Sequence, residues 1–206
     1  MSNLPKEAFT LTGGCFCKAI GYTISIPPLS ERPKTPSMPQ MEIVPPNEVS
    51  SHMPMVSLDH CTSCRRAPGT IVECWLIIPQ SWISFSFLTI PASSPPLEHI
   101  TPQTISVLKG EKKLLETTYL RHYEGNKDSN RTFCGRCGTH VSFYFGGEQR
   151  PMSKKAGWGP ICDVPVGTLD QDGWGQKVKP GYRAWVEEGI PWVRKLLEEG
   201  QKSLSE

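Results

Sequence analysis

A chain of 206 residues with a formal net charge of +2 is long enough for one core, and its near balance of acids and bases argues against a nucleic-acid or anionic-membrane partner. No apolar run approaches the roughly 18 residues of a membrane helix. The opening MSNLPKEAFTLTGG has no apolar signal core, so the expectation is a soluble, cytoplasmic protein.

In chain order, 19–26 (AIGYTISI) alternates as a strand. It leads into PPLSERPKTPSMPQMEIVPPNEVSSHMP, whose eight prolines predict a long irregular excursion, because proline cannot donate to a sheet ladder. Segments 70–78 (TIVECWLII) and 82–88 (WISFSFL) read as strands, and a second loop, IPASSPP, comes after them. TISVLKG, LLETTYLRHY and THVSFYF carry β-branched or aromatic residues in alternation and are predicted as strands, with EGNKDSN at 124–130 as a turn. Only 190–203 reads as a helix, opened by Pro191 and apolar at helical spacing.

Eight cysteines in a cytosolic chain ask for metal or redox chemistry, since disulfides are disfavoured there. Six of them form tight pairs: Cys15-x-Cys17, Cys61-x-x-Cys64 and Cys134-x-x-Cys137. Zinc takes four soft ligands in a tetrahedron, and Cys134-Gly135-Arg136-Cys137-Gly138 has the glycines of a tight knuckle. Cys15 and Cys17, one residue apart, share a face if extended. Joining both pairs on one structural zinc clamps the N-terminal segment to the later sheet; free buried cysteines are the alternative.

The stretches GGCFCKAIGY, HCTSCRRAPG and RTFCGRCGTHVSF resemble, in order, three signatures of the glutathione-dependent formaldehyde-activating enzymes, a family that also includes a centromere-associated protein. VPVGTLDQ and KPGYRAWVEEGIPWV resemble its C-terminal part. The resemblance implies a mainly β fold, a zinc-stapled, complex curled antiparallel sheet. It also implies a single domain over 1–206 with insertions at about 27–56 and 90–103. Carried over by position, Cys15, Cys17, Cys134 and Cys137 match the structural zinc ligands. A second, catalytic-type zinc in the family sits on Cys-His-Cys-x-x-Cys. Here His60, Cys61 and Cys64 match, but Asp59 stands where the first cysteine belongs.

A carboxylate is a legitimate zinc ligand, and Asp59 and Cys61 face one side of an extended segment, which turns His60 away. Asp59 as third ligand, His60 in its stead, or a vacant site all stay open. A zinc held by Asp59, Cys61 and Cys64 is harder than a three-thiolate zinc and polarises oxygen better. Arg65 and Arg66 follow the knuckle, and one of them is a candidate for binding a substrate carboxylate, Arg65 first, against the commoner solvated arginine. Glu73 is a candidate acid or base, against an exposed strand-face glutamate, and His140 adjoins the knuckle as an active-site candidate. The expected function is a zinc-dependent, lyase-type enzyme on a small molecule, by carbon–sulfur bond making or breaking or by Lewis-acid elimination, dehydration or cyclisation. Glutathione is a possible co-substrate and a homodimer a possible assembly. The rival expectation is a non-catalytic, zinc-stapled interaction module with a decayed second site.

Overall fold

A computed structural model of the chain describes residues 4–35, 49–90, 98–147 and 157–203, with side chains to residue 200. Parts of both expected insertions, 36–48 and 91–97, lie outside the described residues, and with them the bulk of the proline-rich excursion and of IPASSPP.

The fold is mainly β, in two sheets. The four-stranded sheet runs β1 (Phe9–Gly14), β2 (Ile20–Ile26), β5 (Ile83–Leu88), β6 (His99–Ile100) in spatial order. The seven-stranded sheet takes the remaining strands: β3 (Met55–Asp59), β4 (Glu73–Pro79), β7 (Leu120–Glu124), β8 (Ser129–Cys134), β9 (His140–Phe145), β10 (Ile161–Pro165) and β11 (Tyr182–Ala184). Its order is β11-β3-β4-β10-β9-β8-β7. β11 lies parallel to β3; the other pairings described are antiparallel.

Alternation explains which face of each strand is buried. Leu11, Ile20, Ile24, Phe85 and Phe87 from the small sheet meet Leu76, Ile78, Val141 and Val164 from the large one in a single core. Each such side chain contributes about 1.5–3 kcal/mol by leaving water. The core face of β4 carries Leu76 and Ile78, so the odd-numbered Glu73 and Trp75 point to the other side of the sheet.

Two segments predicted as strands are helices instead. TISVLKG forms α2 (Thr104–Leu108), and the start of LLETTYLRHY belongs to α3 (Lys112–Thr117), with only its end in β7. Apolar residues in so short a run fit either period, and packing decides: Val107, Leu108 and Leu114 all turn into the core. Gly110, at φ +61°, supplies the left-handed residue that ends α2. The C-terminal helix, here α4 (Pro191–Ser203), is as expected, and a further short helix, α1 (Thr62–Arg66), follows β3. No helix among the described residues is long and apolar enough to cross a membrane.

Candidate functional site

Cys15 and Cys17 occupy a turn, not the strand the spacing suggested. Cys15 N–H donates to the Ile20 carbonyl, Lys18 N–H to the Cys15 carbonyl, and Lys18 takes a positive φ of 63°. The hairpin between β1 and β2 thus makes a loop that curls its thiols inward, one hydrogen-bonded by Ile20 N–H at 3.2 Å from Cys15 Sγ. The second pair ends β8 in the knuckle its glycines predict: Gly138 at φ +77° returns its N–H to the Cys134 carbonyl. Amides of Arg136 and Cys137 point at the Cys134 sulfur, yet burial pushes that thiol up to about 12.

The four sulfurs converge. Cys15 and Cys17 Sγ are 3.6 Å apart, Cys17 and Cys134 Sγ 3.7 Å, and all four lie within 4.8 Å of one another. Tetrahedral zinc with Zn–S of about 2.3 Å separates its sulfurs by roughly 3.8 Å. Donor type and spacing therefore both fit a zinc ion, and a metal lets the four thiols, two buried and two half-buried, ionise together.

The second group lies on the face of the large sheet away from the core. Asp59 and Glu73 are direct cross-strand partners at the ends of β3 and β4. β10 pairs with β4 only as far as Trp75, so Glu73 lies past its last rung, where β9 begins with His140. There His140 Nδ1 stands 3.6 Å from Glu73 Oε2, and the imidazole meets Trp75 edge-on at 5.3 Å. Arg131 of β8 lays its guanidinium over Phe143 at 4.7 Å and Trp75 at 6.0 Å, and extends Nη2 to 3.9 Å from Cys64 Sγ. Cys64, on α1, faces Asp59 Oδ2 at 3.9 Å.

This cluster is largely buried and incompletely hydrogen-bonded. Glu73 and Arg131 are buried, contrary to the exposed alternative considered for the glutamate. Both His140 ring nitrogens and Arg131 Nη1 are buried with no hydrogen-bond partner among the described residues. Burial pushes the Asp59 carboxyl up to about 6 against the bond that Ser57 Oγ donates at 2.8 Å, with the Cys61 and Glu73 charges adding to the rise. Cys61, which accepts a hydrogen bond from the Cys64 thiol, titrates low, and Cys64 is held high by the same bond.

The donors of a second zinc are thus only partly assembled. Asp59 and Cys64 are spaced as two ligands of one ion could be, but the three ligand atoms of Asp59, Cys61 and Cys64 do not all come within 4.8 Å of one another. Cys61 Sγ instead caps α1, accepting Cys64 N–H at 3.2 Å, with Ser63 Oγ at 3.3 Å.

Two other candidates lie elsewhere. His60 turns to the opposite face, as alternation implied, and is fully buried. Arg65 donates Nε to the His60 carbonyl at 2.9 Å and Nη2 to the Glu188 carbonyl at 3.2 Å, bonds that tie α1 to the segment before α4. Arg131 is a member of the cluster that the sequence did not single out. Its signal was present in RTFC, but its neighbours come from strands whose register the sequence does not display. Compared with models of known protein families and with curated proteins, the chain finds no match.

Proposed function

We propose that the chain is a divergent member of the formaldehyde-activating family, with its zinc-stapled fold, and a lyase-type enzyme acting on a small molecule. The observation that carries this reading is the Asp59, Cys64, Glu73, Arg131 and His140 cluster, drawn from four strands and one helix onto one largely buried face. Ionisable groups without partners are costly to bury, and where they gather they are more often chemical than structural.

The roles follow from placement. Glu73 and His140, 3.6 Å apart at Oε2 and Nδ1, are placed to act together as general acid and base toward a reacting oxygen or sulfur. Breaking a thiol adduct removes a hydroxyl proton as the carbon–sulfur bond opens, and sulfur regains a proton; a carboxylate–imidazole pair serves both transfers. Elimination or dehydration asks the same of it. Arg131, flanked by Trp75 and Phe143, presents a fixed cation to a developing anion. A metal here would be held by Asp59 and Cys64 with Cys61 as third donor, and would supply Lewis-acid polarisation of an oxygen. Glutathione is the thiol to try first.

One observation favours the rival, a non-catalytic zinc-stapled module: Cys61 caps α1 instead of closing on Asp59 and Cys64. The deciding experiment is turnover of zinc-loaded protein on a panel of hydroxymethyl thioethers and β-hydroxy thioethers, with and without glutathione. Turnover lost in His140→Gln and Glu73→Gln, with zinc content kept, supports the enzyme. Absence of turnover across the panel, with a single zinc per chain, supports the module.

A further inference from the structure

Behind Asp59, on the opposite face of the β3–β11 pair, stands a second group of charges. Arg183 pairs with Leu58 across the parallel ladder and His60 comes two residues later, so alternation sets both on one face. His60 is fully buried, and neither ring nitrogen has a partner among the described residues. Arg183 likewise has Nε and Nη2 buried with none. The charges acting on His60 are those of Arg183, Arg194 and Arg65, all of them cationic.

The acids nearby are committed elsewhere. Glu187 meets Arg194 at 3.4 Å with its side chain 90% exposed. Glu188 accepts Thr62 N–H at 3.0 Å. Arg65 is taken up by two carbonyls. A guanidinium and an imidazole buried together without acceptors are costly, and in folded proteins such groups pair with something. Gly189 packs closely against this pair: a Cβ there would stand 2.7 Å from His60 Nδ1 and 3.0 Å from Arg194 Cγ. Any larger residue would push into the histidine.

We infer that His60 and Arg183 form a seat for an oxyanion, with Arg194 at its rim, which takes the carboxylate or phosphate group of a small molecule. The guanidinium fork matches either group, and an imidazole N–H adds a donor. The seat does not rest on the catalytic reading or on a metal at the second site, since its groups face away from both.

The test is isothermal titration of the full chain with inorganic phosphate and, separately, with acetate, at ionic strength held constant with sodium chloride. Saturable binding of either anion, at least about tenfold weaker in Arg183→Gln and unchanged in Lys112→Gln on the exposed surface of α3, is expected. Binding of phosphate alone, acetate alone or both tells which oxyanion it takes. Circular dichroism and zinc content report whether each variant is folded, and Arg194→Gln and Gly189→Ala, each expected to weaken binding severalfold, serve if Arg183→Gln is not. No saturable binding in the wild type, or undiminished affinity in the folded variants, overturns the seat.

Discussion

Glu73 Oε2 lies 3.6 Å from His140 Nδ1, with only 10% and 11% of the two side chains exposed. The pair exists because β10 stops two residues short of Glu73, letting the first residues of β4 and β9 meet across the gap. Glu73 also accepts Cys74 N–H at 3.2 Å and His140 packs on Trp75, yet a hydrophobic pair often packs in such a position at no greater cost.

If this pair moves the proton, Glu73→Gln and His140→Gln each lower turnover by about 10²–10⁴-fold. Their effects are not additive, so the double variant falls little further than either single one. Steady-state kinetics on the first productive panel substrate measures both. Additive losses would mean that the two residues act separately.

Arg131 is held by two aromatic faces. Arg131→Gln is expected to cost about 1–3 kcal/mol in urea unfolding, through the lost stacking and through carboxylates left without a nearby cation. Arg131→Lys keeps the charge but not the plane, and recovers only part. Full recovery in the lysine variant would leave no role for the stack.

The four-cysteine group should hold the fold as a structural zinc does. Cys17→Ser or Cys137→Ser, or prolonged chelation of the wild type, is expected to lower Tm by about ten degrees or more, the scale that a loss of several kcal/mol produces. Differential scanning fluorimetry reads it. An unchanged Tm after the metal has been stripped would show that the thiols pack without it.

Gly14 lets that group form. A Cβ at this position would collide with the Ile20 carbonyl inside the turn that carries Cys15 and Cys17. Gly14→Ala is expected to destabilise by about 1–3 kcal/mol and to weaken zinc retention at the same time. Denaturation followed by zinc release at one chelator concentration separates the two effects.

Much of this arrangement is legible in the sequence. Strand alternation foresees β2, β5 and β9, and it turns His60 away from Asp59 by the same rule. Close cysteine pairs foresee the four-sulfur group although they lie far apart in the chain. What stays hidden depends on register and packing. TISVL is too short for its period to be read, and burial of Val107 and Leu108 made it a helix. Glu73 looks like a solvent-facing residue because nothing local says that His140 will cover it. Arg131 and Arg183 sit in strands as single cations, and their surroundings are set by β9 in one case and by β3 in the other.

We propose that this chain carries two zinc sites of different kinds. Zinc content by elemental analysis of the purified, folded protein tests it most directly. About two zincs per chain in the wild type, and about one in the Asp59→Ala, Cys61→Ala double variant with its fold intact, is the expected result. A wild type that holds a single zinc, lost only when Cys15, Cys17, Cys134 or Cys137 is replaced, would contradict it.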